Sequence, residues 1–368
     1  MNEGDYMTTY PVFDGHNDFA WEVRKQFGYS TENLGGSIPT TQTDFERIRT
    51  GGLAAQYWSV WVNPDKVHGA DQVTATLEQI DFIHRLIAAY PNELGAARTA
   101  AEAREVMASG RVASLIGVEG GAQIGGSLAV LRNYARLGAR YMTLTWSRTI
   151  DWADSATDEA RHGGLTDFGR DVVREMNRIG MLVDLAHVAP STMRDALEVT
   201  SRPPIVTHSG ALSLCSHPRN VPDDVIREIG ARNGVLMVAF VPSFLRQDRR
   251  DWDVAGGEGE APAVTVKDAA DHIEYFRELA GVHAVGIGAD YDGSDEMPEG
   301  LEDVGCYQAL FAELASRGWS DDDLRALGTE NALRVLEASD DDYTKFMAGE
   351  AGEPIGRTAA LINTVEED

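Results

Sequence analysis

Histidines and acidic residues follow five of the short apolar segments of this sequence, at positions where they could bind a metal. They are three histidines and three acids: His16, Asp18, Glu119, His187, His208 and Asp290. Imidazole and carboxylate groups together suit zinc or a similar divalent ion. Six such groups exceed what one tetrahedral ion with an open position needs, so two metals that share a bridging carboxylate are the simpler interpretation. Such a pair can hold a hydroxide and polarise a carbonyl at the same time.

Taken singly, each of these residues has a simpler explanation. A histidine that follows a strand is most often a hydrogen-bonded structural residue, and Asp290 with Asp292 fits a turn sequence. The position of all six residues at the ends of predicted strands favours a metal site over these separate explanations. Side chains two apart in extended backbone, such as those of His16 and Asp18, also point to the same side. The metal interpretation therefore depends on where the six residues stand relative to the predicted strands.

Eight short apolar segments are predicted to be β-strands, and amphipathic helical patterns lie between them. Residues 235–241 read Val-Leu-Met-Val-Ala-Phe-Val, which is typical of a strand buried on both faces of a parallel sheet. Alternating strands and helices predict an α/β protein with a (β/α)8 TIM barrel, whose active site forms at the C-terminal ends of the strands. The predicted strands are residues 10–14, 53–62, 112–118, 139–145, 181–186, 204–207, 235–241 and 284–288.

The whole chain, residues 1–368, is predicted to form a single barrel domain. A closing helix is expected over residues 320–337, with Ser320 as the N-cap before three aspartates that suit a helix N-terminus. From about residue 338 the sequence becomes acidic and is predicted to be an irregular tail. The remaining histidines are expected on the surface or in loops: His68, His84, His162, His217, His272 and His283.

The composition excludes several classes of function. The chain has 32 Lys and Arg against 59 Asp and Glu, a formal net charge of −27. This balance predicts no nucleic-acid partner and no membrane partner, because both need clustered basic residues. The two cysteines, Cys215 and Cys306, cannot form a four-thiolate zinc site. No segment has the pattern of a signal peptide or of a transmembrane span, so a cytoplasmic protein is expected.

Several motifs of this chain resemble those of the membrane (renal) dipeptidase family of zinc peptidases. Asp-Gly-His-Asn-Asp at 14–18 and Gly-Val-Glu-Gly-Gly at 117–121 are two of them. The resemblance extends from about residue 11 to residue 337 and keeps the family's order. Further matching segments are residues 141–145, 184–187, 219–224, 288–293 and 328–331, together with Arg334.

The resemblance implies a barrel of the amidohydrolase type with two zinc ions per chain. The implied ligands, with Glu119 bridging the two ions, are His16, Asp18, Glu119, His187 and His208. Asp290 is implied as the catalytic proton shuttle, and Arg219 as the residue that binds the substrate's terminal carboxylate. The implied reaction is hydrolysis of dipeptides, including those with a D-residue on the C-terminal side. Members of the family often form dimers, so a homodimer is one expected state.

Trp146 departs from the family's pattern, in which a histidine follows the Thr-Leu-Thr run and helps to hold the substrate. Tryptophan has one hydrogen-bond donor and no acceptor, and its bulk would narrow the pocket. Loss of one oxyanion contact costs on the order of 100-fold in rate. Trp146 is therefore expected to contact the substrate and to alter specificity, with Arg148 as a substitute donor. Two alternatives stay open: a two-metal hydrolase of another small amide or ester, and a catalytically weakened metal-binding homologue.

Overall fold

Eight parallel strands close into a barrel in the computed structural model, which describes residues 10–355. Around the barrel the order is β1-β2-β4-β5-β6-β7-β8-β9, and β9 pairs with β1 to close the ring. The ninth strand, β3, pairs with the first residues of β4. Within the described residues the strands are β1 (Val12–Asn17), β2 (Leu53–Trp61), β3 (Leu94–Ala96), β4 (Val112–Glu119), β5 (Ala139–Thr143), β6 (Leu182–Asp184), β7 (Ile205–Ser209), β8 (Val235–Val238) and β9 (Val285–Ile287).

Helices surround the barrel and connect successive strands. A π-helical turn, Ala326–Glu330, joins the two helices that close the fold. None of the helices in residues 10–355 combines the length and apolar character that crossing a membrane requires. The helices of the described chain are α1 (Phe19–Phe27), α2 (Phe45–Gly51), α3 (Ala70–Ala89), α4 (Ala100–Ala108), α5 (Leu128–Arg136), α6 (Asp167–Arg178), α7 (Pro190–Val199), α8 (Asp223–Ala231), α9 (Pro242–Leu245), α10 (Gln247–Val254), α11 (Val266–Ala280), α12 (Tyr307–Ser316), α13 (Asp321–Arg325), α14 (Asn331–Glu337) and α15 (Asp340–Met347).

The predicted (β/α)8 barrel is confirmed, and all eight predicted strands are present. β1 begins two residues later than expected and continues to Asn17, so that His16 lies inside the strand. The closing helix begins where it is predicted, because the Ser320 side chain accepts a hydrogen bond from the backbone N–H of Asp323. β3 was not expected from the sequence, since Leu-Gly-Ala contains one large apolar residue and no β-branched or aromatic one.

The prediction of an irregular tail from residue 338 is wrong over α15, which is a regular helix. Tyr343 and Phe346 give this helix a buried apolar side, and its first residue, Asp340, pairs with a buried arginine. Residues 356–368 of the predicted tail lie outside the described residues. So do residues 1–9, to which the expectation of no signal peptide refers. The single-domain organisation stays a prediction.

Arg140, in β5, is fully buried and is neutralised by the start of α15. Its Nη1 lies 3.1 Å from Oδ1 of Asp340, and its Nη2 donates to Ser339 Oγ at 2.8 Å and to the Gly180 carbonyl at 3.1 Å. The guanidinium also stacks on the ring of Tyr343 at 4.2 Å. A buried charge needs this partner set, because desolvation of an unpaired ion is costly. The ion pair therefore fixes α15 against the barrel.

We expect the substitution Asp340→Ala to lower the free energy of unfolding by about 3 kcal/mol, since it leaves a buried arginine without its carboxylate. Urea denaturation followed by circular dichroism measures the change. The matched control is Asp341→Ala, which removes an exposed carboxylate one residue further along α15. Equal effects of the two substitutions would contradict the importance assigned to the ion pair.

Candidate metal centre

Glu119, the last residue of β4, lies at the centre of a group of buried histidines and acids at the C-terminal end of the barrel. Its Oε1 is 2.8 Å from Nε2 of His187 and 3.4 Å from Nε2 of His208. Its Oε2 is 3.5 Å from Nε2 of His16, which in turn lies 3.3 Å from Oδ2 of Asp18. All five residues are at most 6% exposed. The structure thus brings together the five predicted metal ligands, which belong to distant parts of the chain.

These side chains form two groups of three, each with its ligand atoms within 4.8 Å of one another. His16, Asp18 and Glu119 make one group, and Glu119, His187 and His208 make the other. Glu119 is common to both, because its two oxygens face different histidines. Two neighbouring ions that share a carboxylate would use this arrangement.

Buried polar atoms without partners test whether the residues fit a metal. Within the described chain, Nε2 of His16 and Oδ1 of Asp18 have no hydrogen-bond partner. Nε2 of His187 and Nε2 of His208 face each other at 3.0 Å. Unpaired buried polar groups cost about 1–3 kcal/mol each, a cost that a bound cation offsets. Three imidazoles and two carboxylates are also the donor types that zinc-like ions bind, so the residues fit divalent metal ions.

The protonation states of three of these groups suit metal binding, whereas that of His16 does not. Burial alone would lower the pKa of His16, but the groups around it raise that pKa well above its usual value, so His16 would release a proton on binding a cation. Burial lowers the pKa of His187 to about 3, and the positive charge of Arg219 acts in the same direction. Burial likewise holds the pKa of His208 well below its usual value. Burial alone would raise the pKa of Glu119, but His16 and hydrogen bonds from the histidines outweigh it and hold that pKa well below the usual value. The imidazoles of His187 and His208 are therefore neutral and the carboxylate is charged, as ligation requires.

Thr207 and Asp184, below the centre, determine which nitrogen of His208 is free. The Thr207 hydroxyl donates to Oδ2 of Asp184 at 2.7 Å, so its oxygen accepts from Nδ1–H of His208 at 2.9 Å. The proton of His208 is therefore on Nδ1, and the lone pair of Nε2 points to the centre. Asp184 is itself held by the backbone N–H groups of Ala186 and Thr207.

Asp14 lies below His16 in the barrel, as Asp184 lies below His208. Its Oδ1 accepts from the backbone N–H groups of His16 at 2.8 Å and Ala289 at 3.2 Å. The Tyr307 hydroxyl donates to its other oxygen. The bond from Ala289 crosses the closure between β1 and β9, so Asp14 fixes His16 relative to Asp290.

Tyr141 positions the ring of His16 from inside the barrel. Its hydroxyl lies 3.0 Å from Nδ1 of His16. Gly117 leaves space for this tyrosine, because a Cβ at residue 117 would lie 2.0 Å from Cζ of the Tyr141 ring. Residue 117 is therefore a glycine because the Tyr141 ring needs the space, not because the strand needs flexibility.

Asp290 follows β9 and is aimed at the same centre. Its Oδ1 is 3.9 Å from Nε2 of His16. Burial raises its pKa to about 8, and the charges of Asp18 and Glu119 add to the effect while His16 opposes it. The backbone of Asp290 has φ of 66°, in the left-handed region, as does that of His187. Such conformations in residues other than glycine cost about 1–3 kcal/mol and are concentrated at functional sites.

A cavity of about 590 Å³ opens above the centre, and Arg219 contributes to one side of it. Arg219 is 4% exposed, and its Nη2 donates to the His208 carbonyl at 3.3 Å. Its Nη1 has no partner among the described residues, and its guanidinium lies 5.3 Å from the ring of Phe244. Burial lowers its pKa to about 10, so the group is still a cation at neutral pH. Such a group can bind a carboxylate that enters the cavity.

Trp146 lines the cavity beside the predicted metal ligands. Its ring lies 5.9 Å from that of His187 and 4.8 Å from that of Trp61. Arg148, the predicted substitute donor, is half-exposed at the cavity mouth and forms an ion pair with Asp65 at 3.0 Å. Its guanidinium therefore already has a partner.

Two further tryptophans of the cavity, Trp21 and Trp61, were missed from the sequence. Their positions along the chain, one in α1 and one at the end of β2, give no signal that they lie together. His272 also differs from expectation, because it is buried in α11 and not on the surface or in a loop. It accepts from Ala211 N–H at 2.8 Å and donates to the Leu245 carbonyl at 3.0 Å, which stabilises the loops behind Arg219.

A (β/α)8 barrel with buried histidines and acids at the C-terminal ends of its strands is the architecture of a metal-dependent hydrolase. The model of the membrane dipeptidase family (peptidase family M19) matches residues 2–346, and the chain belongs to this family. The resemblance found in the sequence is thus confirmed, and the protein is a metal-dependent dipeptidase.

Individual relatives agree with this assignment. The chain is 41% identical over 341 residues to Dipeptidase aclJ of Aspergillus oryzae, a match that covers 90% of this chain and 78% of the relative. It is 40% identical over 347 residues to Dipeptidase verJ of Clonostachys rogersoniana, covering 91% and 86%. A metallopeptidase from Rhodobacter sphaeroides, solved with a phosphinate mimic of L-Ala-D-Ala, superposes with a TM-score of 0.81 at 25% identity. That match covers 90% of this chain and all of the other.

We expect Thr207→Val to weaken metal binding by about 10- to 100-fold, because His208 loses the acceptor that keeps its proton on Nδ1. Competition of the protein with a chelator for Zn²⁺ measures the affinity. Thr192→Val is the control, since Thr192, in α7, is comparably buried. Its hydroxyl donates to the Asp154 carbonyl at 2.9 Å, away from the metal centre. Unchanged Zn²⁺ affinity in Thr207→Val would refute the role of this hydroxyl.

Proposed function

We propose that the chain is a binuclear zinc dipeptidase that hydrolyses the amide bond of dipeptides, including L-Xaa-D-Xaa. The observation that carries the proposal is the pair of ligand groups that share Glu119. Further support comes from the Rhodobacter sphaeroides relative, which was solved with a mimic of L-Ala-D-Ala. The proposed ligands are His16 and Asp18 for one ion, His187 and His208 for the other, and Glu119 for both.

The proposed role of Asp290 is to move a proton during hydrolysis. When bound, the metal ions supply a hydroxide nucleophile and polarise the amide carbonyl. Asp290 accepts the proton of the attacking water on its carboxylate and donates it to the nitrogen of the leaving amine. Burial raises its pKa to about 8, although His16 and Arg219 favour the charged form, and a carboxyl whose pKa lies this close to neutral pH can both accept and release a proton.

Arg219 and Trp146 are proposed to hold the substrate. Arg219 binds the terminal carboxylate through Nη1, the nitrogen that has no partner among the described residues. Its planar guanidinium suits a carboxylate, and a buried position makes the ion pair stronger than in water. Trp146 contacts the substrate next to His187 chiefly by packing, because most of its surface is apolar and an indole offers one hydrogen-bond donor and no acceptor.

A cytoplasmic location, a homodimer and one domain over residues 1–368 are further proposals that rest on the sequence. The acidic composition supports the absence of a nucleic-acid partner. Light scattering after size-exclusion chromatography measures the oligomeric state directly.

We expect the purified protein to contain about two zinc ions per chain, as a binuclear centre requires, and to cleave L-Xaa-L-Xaa and L-Xaa-D-Xaa dipeptides. Asp290→Asn should keep the zinc and lower kcat by about 10²- to 10⁴-fold, because it removes the proton carrier. Metal analysis and hydrolysis of a dipeptide panel on the same sample check both. Asp295→Asn is the control, since Asp295 is an exposed acid of the same cavity. If the protein contains zinc but cleaves no dipeptide, the proposed metal site stands and the proposed substrate class is wrong.

We expect Arg219→Met to raise KM for dipeptides by about 10- to 100-fold, through loss of a charge-assisted hydrogen bond. Dipeptide amides, which lack the carboxylate, should be hydrolysed equally by the parent protein and the variant. The comparison of kcat/KM for a dipeptide and its amide in both proteins isolates this contact. An equal loss on both substrates would assign Arg219 a structural role instead.

A further inference from the structure

Three tryptophans form one side of the cavity above the metal centre, here called the tryptophan wall: Trp21, Trp61 and Trp146. The rings of Trp21 and Trp61 meet edge to face at 4.5 Å, and those of Trp61 and Trp146 meet at 4.8 Å. All three are only half-buried, although Trp58, in the same strand as Trp61, is fully buried. The wall therefore presents a continuous aromatic surface to whatever enters the cavity.

Two ion pairs lie beside the wall, and the guanidinium of Arg24 lies 5.1 Å from the ring of Trp21. Lys25 lies 2.6 Å from Glu22, and Arg148 lies 3.0 Å from Asp65. Large apolar surface left open inside a cavity typically marks a ligand-binding site, because its exposure to water is unfavourable. The surface fits an apolar group, and aromatic rings in particular gain from edge-to-face and offset-stacked contacts.

The barrel order determines which part of a dipeptide meets the wall. Trp21 follows β1, Trp61 is the last residue of β2, and Trp146 follows β5. Arg219 follows β7, in the other half of the ring of strands. Glu119 and His187 line the same cavity as the wall and Arg219. A dipeptide with its carboxylate on Arg219 and its amide carbonyl at Glu119 therefore extends its N-terminal residue toward the wall. This step rests on the proposed role of Arg219.

The cavity is large enough for a bulky side chain. Its volume of about 590 Å³ is within the range of sites that bind drug-sized ligands, about 300–1,000 Å³. A dipeptide of two alanines would leave much of the wall in contact with water. A large N-terminal side chain would cover it.

We propose that the tryptophan wall selects dipeptides whose N-terminal residue has an aromatic or large apolar side chain. Trp146, at the position where the family has histidine, is then a specificity residue that provides packing surface. The inference deepens the dipeptidase function and rests on the orientation of the substrate proposed above.

Three substrates test the proposal: L-Phe-L-Ala, L-Ala-L-Phe and L-Ala-L-Ala. We expect kcat/KM for L-Phe-L-Ala to exceed that for L-Ala-L-Ala by about 10- to 100-fold. This factor corresponds to the free energy gained when one phenyl side chain is buried. L-Ala-L-Phe should gain much less. In Trp146→Ala the preference for L-Phe-L-Ala should fall about tenfold, while the ratio of L-Ala-L-Phe to L-Ala-L-Ala stays the same.

Trp252→Ala is the matched control, because Trp252 is a half-buried tryptophan of α10 outside the cavity. The substrate preference of this variant should equal that of the parent protein. Trp21→Ala, at the other end of the wall, is the second variant if Trp146→Ala fails to fold. The proposal is overturned if the N-terminal side chain makes no difference, if the preference lies in the C-terminal residue, or if L-Arg-L-Ala is cleaved better than L-Phe-L-Ala. Failure to cleave any of the dipeptides would refute the dipeptidase activity itself, a result distinct from equal cleavage of all of them.

Discussion

Glu119 keeps a negative charge at 3% exposure, and the rest of the structure follows from that requirement. A carboxylate removed from water needs strong partners, and Glu119 finds them in His16, His187 and His208. His16 belongs to β1, whereas His187 follows β6 and His208 lies on the neighbouring β7, and β1 does not pair with either of these strands. Only the pairing of β9 with β1, which closes the barrel, brings them to one point.

Two further buried carboxylates transmit this arrangement from the barrel to the site. Asp14 and Asp184 each accept from a backbone N–H two residues further on and from one on the neighbouring strand. Each therefore joins two strands directly below a histidine that is a candidate metal ligand. The site is preorganised by hydrogen bonds that also hold the barrel together, so that changes to them would affect fold and metal binding at once.

Much of this could be predicted from sequence, because strands buried on both faces have short apolar runs and barrel sites follow strand ends. His187 and His208 were found on this basis alone. What could not be predicted depends on contacts between distant residues. Trp61 is half-buried and Trp58 fully buried, yet no local pattern tells which of the two lines the cavity. α15 was taken as irregular because its aspartates suggest solvent, whereas Asp340 is bound by Arg140, 200 residues earlier in the chain.

The same distance between Arg140 and Asp340 has a consequence for the synthesis of the protein. Chains are made at about 5–20 residues per second, so roughly 10–40 s separate the appearance of the arginine from that of its carboxylate. During that time β5 carries a charge that the finished barrel buries. The barrel therefore cannot give Arg140 its final surroundings before α15 has been made.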